Sequence, residues 1–312
     1  MKIPFFQISL LALIAFLLTS CQPNPQSPIS NPQSPPTSSP SLLFTPTPPP
    51  SPTPLSLGAG FRYSSYGPPY NPGPEYWATT GQQMAAKFPN AVPATIWIVG
   101  TIYGNGTYLN FPLDEEIEDV RFSYADLNEE VLTRFDEMGG QVWLQVEPGH
   151  ADMIALIHAM LDRYGHHPSV IGVGVDVEWY QSTASPVGEP ITDEVAAAWV
   201  AAARSHGERF RVFLKHWEMD WMPPTYRDGL LFVNDSQQFA SLDALVAEFT
   251  AWGQHFAPSP VGYQFGYPAD RPWWSQFPDP PAQIGNALLQ NIPNTESLFW
   301  VDFTILDVFP DK

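Results

Sequence analysis

The chain has 312 residues, long enough for one large domain with a substantial core plus an appendage. Thirteen basic residues against 32 acidic ones give a formal charge of -19, which argues against nucleic acid and anionic membrane surfaces as partners, because phosphate binding needs clustered Lys and Arg. The single cysteine rules out an internal disulfide and a cysteine-built metal site.

Residues 1–20 begin with Met1-Lys2, continue as an apolar run from Phe5 to Leu18 and end in Leu18-Thr19-Ser20 before Cys21. This resembles a bacterial lipoprotein signal peptide with its lipobox, which implies cleavage before Cys21, lipidation of that cysteine and a membrane anchor through it. The rest of the chain is then extracytoplasmic, held at the cell envelope. Residues 21–57 are Pro, Ser, Thr, Gln and Asn with almost no charge. Such a stretch cannot bury enough apolar surface to fold, and its prolines favour an extended, semi-rigid tether.

From residue 58 to residue 312 the texture changes to short β-rich runs alternating with stretches of helical period. Eight strands are predicted, at 59–64, 95–100, 141–147, 170–178, 211–217, 230–234, 261–267 and 298–304. Helical periods lie between most of them. Val131, Leu132 and Phe135 share one face of 129–138, and Ile154, Ile157, Met160 and Leu161 share one face of 153–164. Ala-rich 193–205 and the 242–252 stretch repeat the pattern. Eight alternations over about 255 residues match the size and order of a (β/α)8 barrel. A doubly wound sheet is the competing fold, but no Gly-rich phosphate loop follows the first strand.

Chemistry in such a barrel collects at the carboxyl ends of the strands, and those ends here are polar and aromatic while the opposite ends are bland. The fourth strand is the centre of interest. It reads V-I-G-V-G-V-D-V-E-W-Y from Val170, a buried run in which Gly172, Gly174, Asp176 and Glu178 alternate onto one face. Glycines are expected to leave space below two carboxylates. Asp176 beside Glu178 would raise the proton affinity of a general acid, so both are candidate catalytic residues. Glu147 on strand three and Glu218 after strand five are candidates for the second carboxylate that a two-carboxylate mechanism needs. A bland alternative pairs Glu178 with Lys215. Gln264, Tyr267, Asn234, Asp235, Trp217, Tyr63, Trp300 and Asp302, all at strand ends, are candidate substrate-binding residues. Flat aromatic rings beside hydrogen-bonding groups suit the faces and edges of sugars.

The stretch Gly172-Val173-Gly174-Val175-Asp176-Val177-Glu178 resembles the fourth-strand motif D-G-x-D-x-D-x-E of the family 18 chitinase-like glycoside hydrolases. The resemblance implies a (β/α)8 barrel acting on N-acetylhexosamine polymers, with Glu178 as the acid, Asp176 orienting the substrate's acetamido group and Trp300 flooring the sugar site. Ile171 and Gly174 stand where the motif has its first two aspartates. Asn234-Asp235 stands where the family has a Tyr-Asp pair, a role for which Tyr267 is the substitute at hand. The D-x-E pattern is also similar to that of the family 25 muramidases, but their first-strand Asp has no counterpart in Gly60-Phe61-Arg62-Tyr63-Ser64.

The sequence therefore points to an exported, lipid-anchored glycoside hydrolase with a polysaccharide or oligosaccharide substrate. The alternative is a non-catalytic surface carbohydrate-binding protein on a degenerate glycosidase barrel. No cofactor is expected. His216, Glu218 and Asp220 alternate as metal ligands can, yet Lys215 beside them opposes a cation, and His166-His167 reads as a solvated turn before Pro168. No metal site is expected either.

Overall fold

A computed structural model describes residues 56–311. The expected signal segment, the lipidation site Cys21 and all but the last two residues of the tether lie outside the described residues. Among the described residues no helix is long and apolar enough to cross a membrane.

Among the described residues there are ten strands: β1 (Gly58–Tyr63), β2 (Val92–Tyr103), β3 (Gly106–Leu109), β4 (Val120–Phe122), β5 (Gln141–Val146), β6 (Val170–Asp176), β7 (Arg211–Lys215), β8 (Leu230–Asn234), β9 (Val261–Phe265) and β10 (Thr295–Val301). Eight of them, β1, β2 and β5 to β10, pair in parallel in chain order, and β1 also pairs in parallel with both β2 and β10. The sheet is therefore closed, an eight-stranded parallel barrel as the sequence predicts. The remaining two strands form an appendage. β2 runs past the barrel, turns at Gly104-Asn105 and returns antiparallel as β3, against which β4 lies in parallel.

The helices are α1 (Pro74–Ala85), α2 (Glu129–Glu137), α3 (Met153–Tyr164), α4 (Asp193–Ser205), α5 (Leu242–Phe256), α6 (Arg271–Trp274), α7 (Pro280–Asn291) and α8 (Ile305–Val308). Their starts are legible as chemistry. Asp152 accepts from the Ile154 N–H at 2.8 Å, Thr192 from Val195 and Ser241 from Ala244 at 3.3 Å, and Asp279 from Ala282 at 3.2 Å ahead of Pro280. Each side chain satisfies an amide that the first turn leaves open. The regular alternation fails once. Between β7 and β8 there is no α-helix, only a 3-10 turn at Met219–Trp221, because Pro223-Pro224 cut the connection short.

Two cores result. A large one lies between barrel and helices, and a small one fills the barrel with Ala94, Ile96, Ile98, Trp143, Phe213, Leu231, Val233 and Phe299. The glycines of β6 do not leave empty space, contrary to the expectation from sequence. A Cβ on Gly174 would stand 2.0 Å from the Phe213 ring, and one on Gly172 would stand 2.6 Å from the Trp143 ring. Those two rings meet edge to face with centroids 5.6 Å apart. They give the barrel a solid aromatic floor, directly beneath the carboxyl end of β6.

Candidate active site

Above that floor the strand ends converge on one ammonium group. Lys215, the last residue of β7, is 5 % exposed at its side chain. Its Nζ donates to Glu178 Oε1 and to Asp235 Oδ2, and lies 3.1 Å from Asp176 Oδ2. Asp176 ends β6, and Glu178 follows in the 3-10 turn Val177–Trp179, so the extended alternation expected for 170–178 stops at Asp176. Both carboxylates nevertheless reach the same nitrogen. Asp235 comes from the residue after β8. The ends of β6 and β8 thus deliver three carboxylates to the one cation that ends β7 between them.

One ammonium cannot compensate three buried carboxylates. Burial, followed by the charge of Asp235, pushes Glu178 well above the usual carboxyl range, with Lys215 opposing. Burial raises Asp176 to about 7, again against Lys215, with Glu147 and Asp235 adding to the rise. Asp235 goes the other way. Burial would raise it, but Lys215 and a hydrogen bond from Glu178 hold it below the ordinary value. Protonated Glu178 beside ionised Asp235 is the charge state this arrangement favours.

A second polar group completes the mouth. Arg62 at the end of β1 donates to Asp302 Oδ1 at 2.5 Å, and to the Tyr66 hydroxyl at 2.7 Å. The Tyr66 hydroxyl donates to Glu147 Oε1 at 2.5 Å, whose other oxygen accepts from the Ile102 N–H at 3.1 Å. Asp302 further accepts from the Ser64 hydroxyl at 2.8 Å. Gln145 donates to Asp176 Oδ2 at 3.1 Å, and the Tyr267 hydroxyl donates to Gln264 Oε1 at 3.3 Å. Four buried atoms in this set have no protein hydrogen-bond partner: Gln145 Oε1, Asp176 Oδ1, Asp235 Oδ1 and Gln264 Nε2. Buried polar atoms need partners, and three acceptors with one donor beside the Lys215 cluster suit a hydroxyl-rich ligand or water.

A groove of about 780 Å³ opens over the cluster, with Glu178 and Asp235 on its floor and Trp217, Glu218, Asn234 and Gln237 among its walls. Trp217 is half-buried and stacks on His216 with centroids 4.2 Å apart. His216 is a neutral spacer. Its Nδ1 accepts from the Glu218 N–H at 2.8 Å, its Nε2 lies 3.2 Å from the Val187 carbonyl, and burial lowers it to about 4.

The structure brings together Asp176, Glu178, Asp235, Gln264 and Tyr267, with Glu147 and Asp302 in the adjoining network. Asn234 and Trp217 stand on the groove wall. Glu218 is exposed and lines the same groove as Glu178 and Asp235, outside the set of carboxylates that engage Lys215. Trp300 is a correction. It is fully buried in the outer core, donates to Thr304 Oγ1 at 2.9 Å and packs edge to face on Trp274, because Phe299 takes the inward phase of β10. Tyr63 is another. Arg62 points to the mouth, so Tyr63 faces out and stacks on Trp97 at 4.0 Å beneath a separate groove. Sequence reasoning missed Tyr66; it had Arg62, Gln145 and Lys215 among the polar strand ends but did not single them out as parts of the site. Their signal, polar residues at inward phases of strand ends, was present but shared by many others.

A metal does not fit the mouth, where Lys215 already occupies the centre of the carboxylates. The turn at His166-His167 is solvated at His166 only, since His167 is buried, 3 % exposed, against α2.

No protein-family model matches this chain, and no curated protein sequence matches it. Solved structures do. A candidate α-L-fucosidase from Bacteroides thetaiotaomicron VPI-5482 superposes with a TM-score of 0.51 at 11% identity, over 86% of this chain and 92% of that one. Endo-glycoceramidase II from Rhodococcus sp. gives 0.47 at 10% identity, over 79% and 73%. The catalytic domain of the major endoglucanase of Xanthomonas campestris pv. campestris gives 0.43 at 12%, over 79% and 86%. At 11% identity the first of these likenesses is one of fold, and it agrees with the closed (β/α)8 barrel described above.

Proposed function

We propose that the chain is a glycoside hydrolase, with Glu178 as the general acid. The observation that carries this is a carboxyl group with strongly raised proton affinity on the floor of an open polar groove, beside two further carboxylates. Glu178 gives its proton to the glycosidic oxygen as the anomeric C–O bond breaks. The positive charge developing on the sugar is met by Asp235, which Lys215 holds ionised. In an N-acetylhexosamine substrate the acetamido oxygen closes on the anomeric carbon, with Asp176 orienting that group. Otherwise a carboxylate of the cluster takes the nucleophile's place, and Asp235, ionised and next to Glu178, is better placed for it than Glu147. Water then adds to the anomeric carbon and its proton returns to Glu178, which balances the cycle.

The fold of the neighbouring carbohydrate-active proteins supports this reading by analogy only. A specific observation favours a second reading, non-catalytic carbohydrate binding. Lys215 engages Glu178 directly, as the bland alternative from sequence has it, and two aspartates of the family 18 pattern are absent. The experiment incubates the full chain and its Glu178→Gln variant with chitin oligomers, peptidoglycan and a panel of neutral and acidic polysaccharides, counting reducing ends. Release that falls by orders of magnitude in the variant supports hydrolysis. Binding without release, unchanged by the substitution, supports the second reading.

We further propose that Cys21 is lipidated after cleavage and that residues 22–57 tether the barrel to the outer face of a membrane. The lipobox pattern supports this. Metabolic labelling with a fatty-acid probe should mark the parent and not a Cys21→Ala variant, and equal labelling of both would refute it.

A further inference from the structure

We infer that Glu129, His166 and His167 form a binding site for a first-row divalent transition metal, with zinc the best match, remote from the groove. Glu129 opens α2, and the two histidines lie in the turn between α3 and β6. That turn leads into the start of β6, whereas Asp176 and Glu178 stand at its far end.

His167 is the anchor. Its Nδ1 lies 2.6 Å from Asp136 Oδ2, and the other oxygen of Asp136 accepts from the Ser169 N–H at 2.9 Å. Oδ1 of Asp136 is thus taken by an amide donor and Oδ2 faces the ring nitrogen, so Asp136 is the acceptor of this pair and Nδ1 carries the proton. Nε2 is left with a lone pair. That atom is buried, without a hydrogen-bond partner, and 3.3 Å from Glu129 Oε1. The contact lacks hydrogen-bond geometry, so the two atoms do not share a proton along their axis. They flank a common third position instead. His166 Nε2 lies 3.9 Å from the same carboxylate oxygen, and all three ligand atoms fall within 4.8 Å of one another.

These distances suit a small cation. Four-coordinate zinc with bonds of about 2.0–2.1 Å holds its ligands about 3.4 Å apart. The His167–Glu129 edge already has that length. His166 is largely exposed, and its ring closes the remaining edges by a movement of roughly 1 Å. Two imidazoles and one carboxylate favour zinc over calcium or magnesium, which prefer all-oxygen sets. The carboxylate on the far nitrogen of His167 is the usual outer partner of a metal-bound histidine, fixing the tautomer and aiming the ring. A bound ion would clamp the start of α2 to the turn that feeds β6.

The test strips the purified full chain with a chelator and titrates it with Zn2+ by calorimetry, following Co2+ by visible absorption in parallel. One equivalent should bind with a Kd of ~10 µM or tighter and give the intense absorption of a tetrahedral cobalt site. His166→Ala and Glu129→Gln, both at exposed positions, should each weaken binding at least tenfold, and Asp136→Asn by about 10- to 100-fold with the ligands intact. A rival cluster exists, since His158 Nδ1 and His206 Nε2 lie 2.7 Å apart with Asp162 nearby. His158→Ala should leave the titration unchanged. The proposal is overturned if the parent takes up no zinc, or if binding survives His166→Ala and Glu129→Gln, or if it is lost in His158→Ala alone.

Discussion

Replacing Lys215 by Met keeps the length of the side chain and removes the one charge on which β6, β7 and β8 converge. At 3.1 Å and an effective dielectric of about 20, its attraction to Asp176 alone is ~5 kcal/mol, with Glu178 and Asp235 adding to it. Desolvation and repulsion among the carboxylates offset much of that sum, so truncation should cost roughly 3–5 kcal/mol, the range for breaking a buried ion pair. The loss should depend on pH. Asp176 rises from an ordinary 3.8 to about 7 in the folded chain, so between those values the native state holds a proton that the unfolded state has released. Its stabilisation is complete below about 4 and is lost as pH rises to 7, by up to ~4 kcal/mol for the full shift, and Glu178 has the same sign. Asp235, held below its ordinary value, has the opposite sign and acts only in acid. Without Lys215 the carboxyl groups move further up, so the deficit of the variant should widen from pH 5 to pH 8. Urea unfolding read by tryptophan fluorescence at both pH values measures it. An equal deficit at pH 5 and pH 8 would mean that Lys215 contributes packing and not charge, and the electrostatic account of the site would fail.

Under the hydrolase reading, kcat/KM should decline on the alkaline side as Glu178 loses its proton, and Lys215→Met should move that decline to higher pH, because the ammonium favours the ionised form. A limb unmoved by the substitution would contradict the contact. Trp300→Ala should destabilise by about 3–5 kcal/mol while leaving KM of the folded protein unchanged, since the ring packs among Trp274, Phe265 and Thr304. A raised KM at intact stability would place that ring on the substrate after all. Gly174→Ala should cost roughly 1–3 kcal/mol or more, the new Cβ meeting the Phe213 ring. Phe213→Leu in the same chain should recover part of the loss, and no recovery would put the strain elsewhere.

The barrel was legible because buried parallel strands are written as apolar runs and because helical periods alternate with them along the chain. The missing helix between β7 and β8 was legible in principle, in Pro223-Pro224. Side-chain phase was harder. Trp300 and Asp302 both stand at the end of the last strand, yet one packs against the helices and the other reaches Arg62, 240 positions away. Two residues apart, they would share a face had the strand continued, but β10 ends at Val301 and Asp302 enters the 3-10 turn Asp302–Thr304. Within β10 the run L-F-W-V carries apolar residues on both phases, so alternation alone does not choose Phe299 over Trp300 for the interior. Tyr63 and Arg62 pose the same ambiguity. The convergence of three carboxylates on Lys215 is a property of strand adjacency, since Asp176, Lys215 and Asp235 lie far apart in sequence and become neighbours only when β6, β7 and β8 pair.

The mouth carries more negative charge than its cations balance. Glu147, Asp176, Glu178, Asp235 and Asp302 face Arg62 and Lys215, and Arg62 is already committed to Asp302 and Tyr66. The cluster lowers its own cost by retaining protons on Glu178 and Asp176, which is why the group best placed over the groove is also the one most able to donate. The surplus that remains disfavours an anionic ligand and favours positive charge developing at a sugar ring, in keeping with the chain's overall charge of -19. Uronic-acid and sulfated polymers are therefore poor partners for this groove, whichever of hydrolysis and binding it performs. Under the proposed hydrolase reading, the same electrostatics that hold a proton on Glu178 would narrow the class of substrate to uncharged sugars.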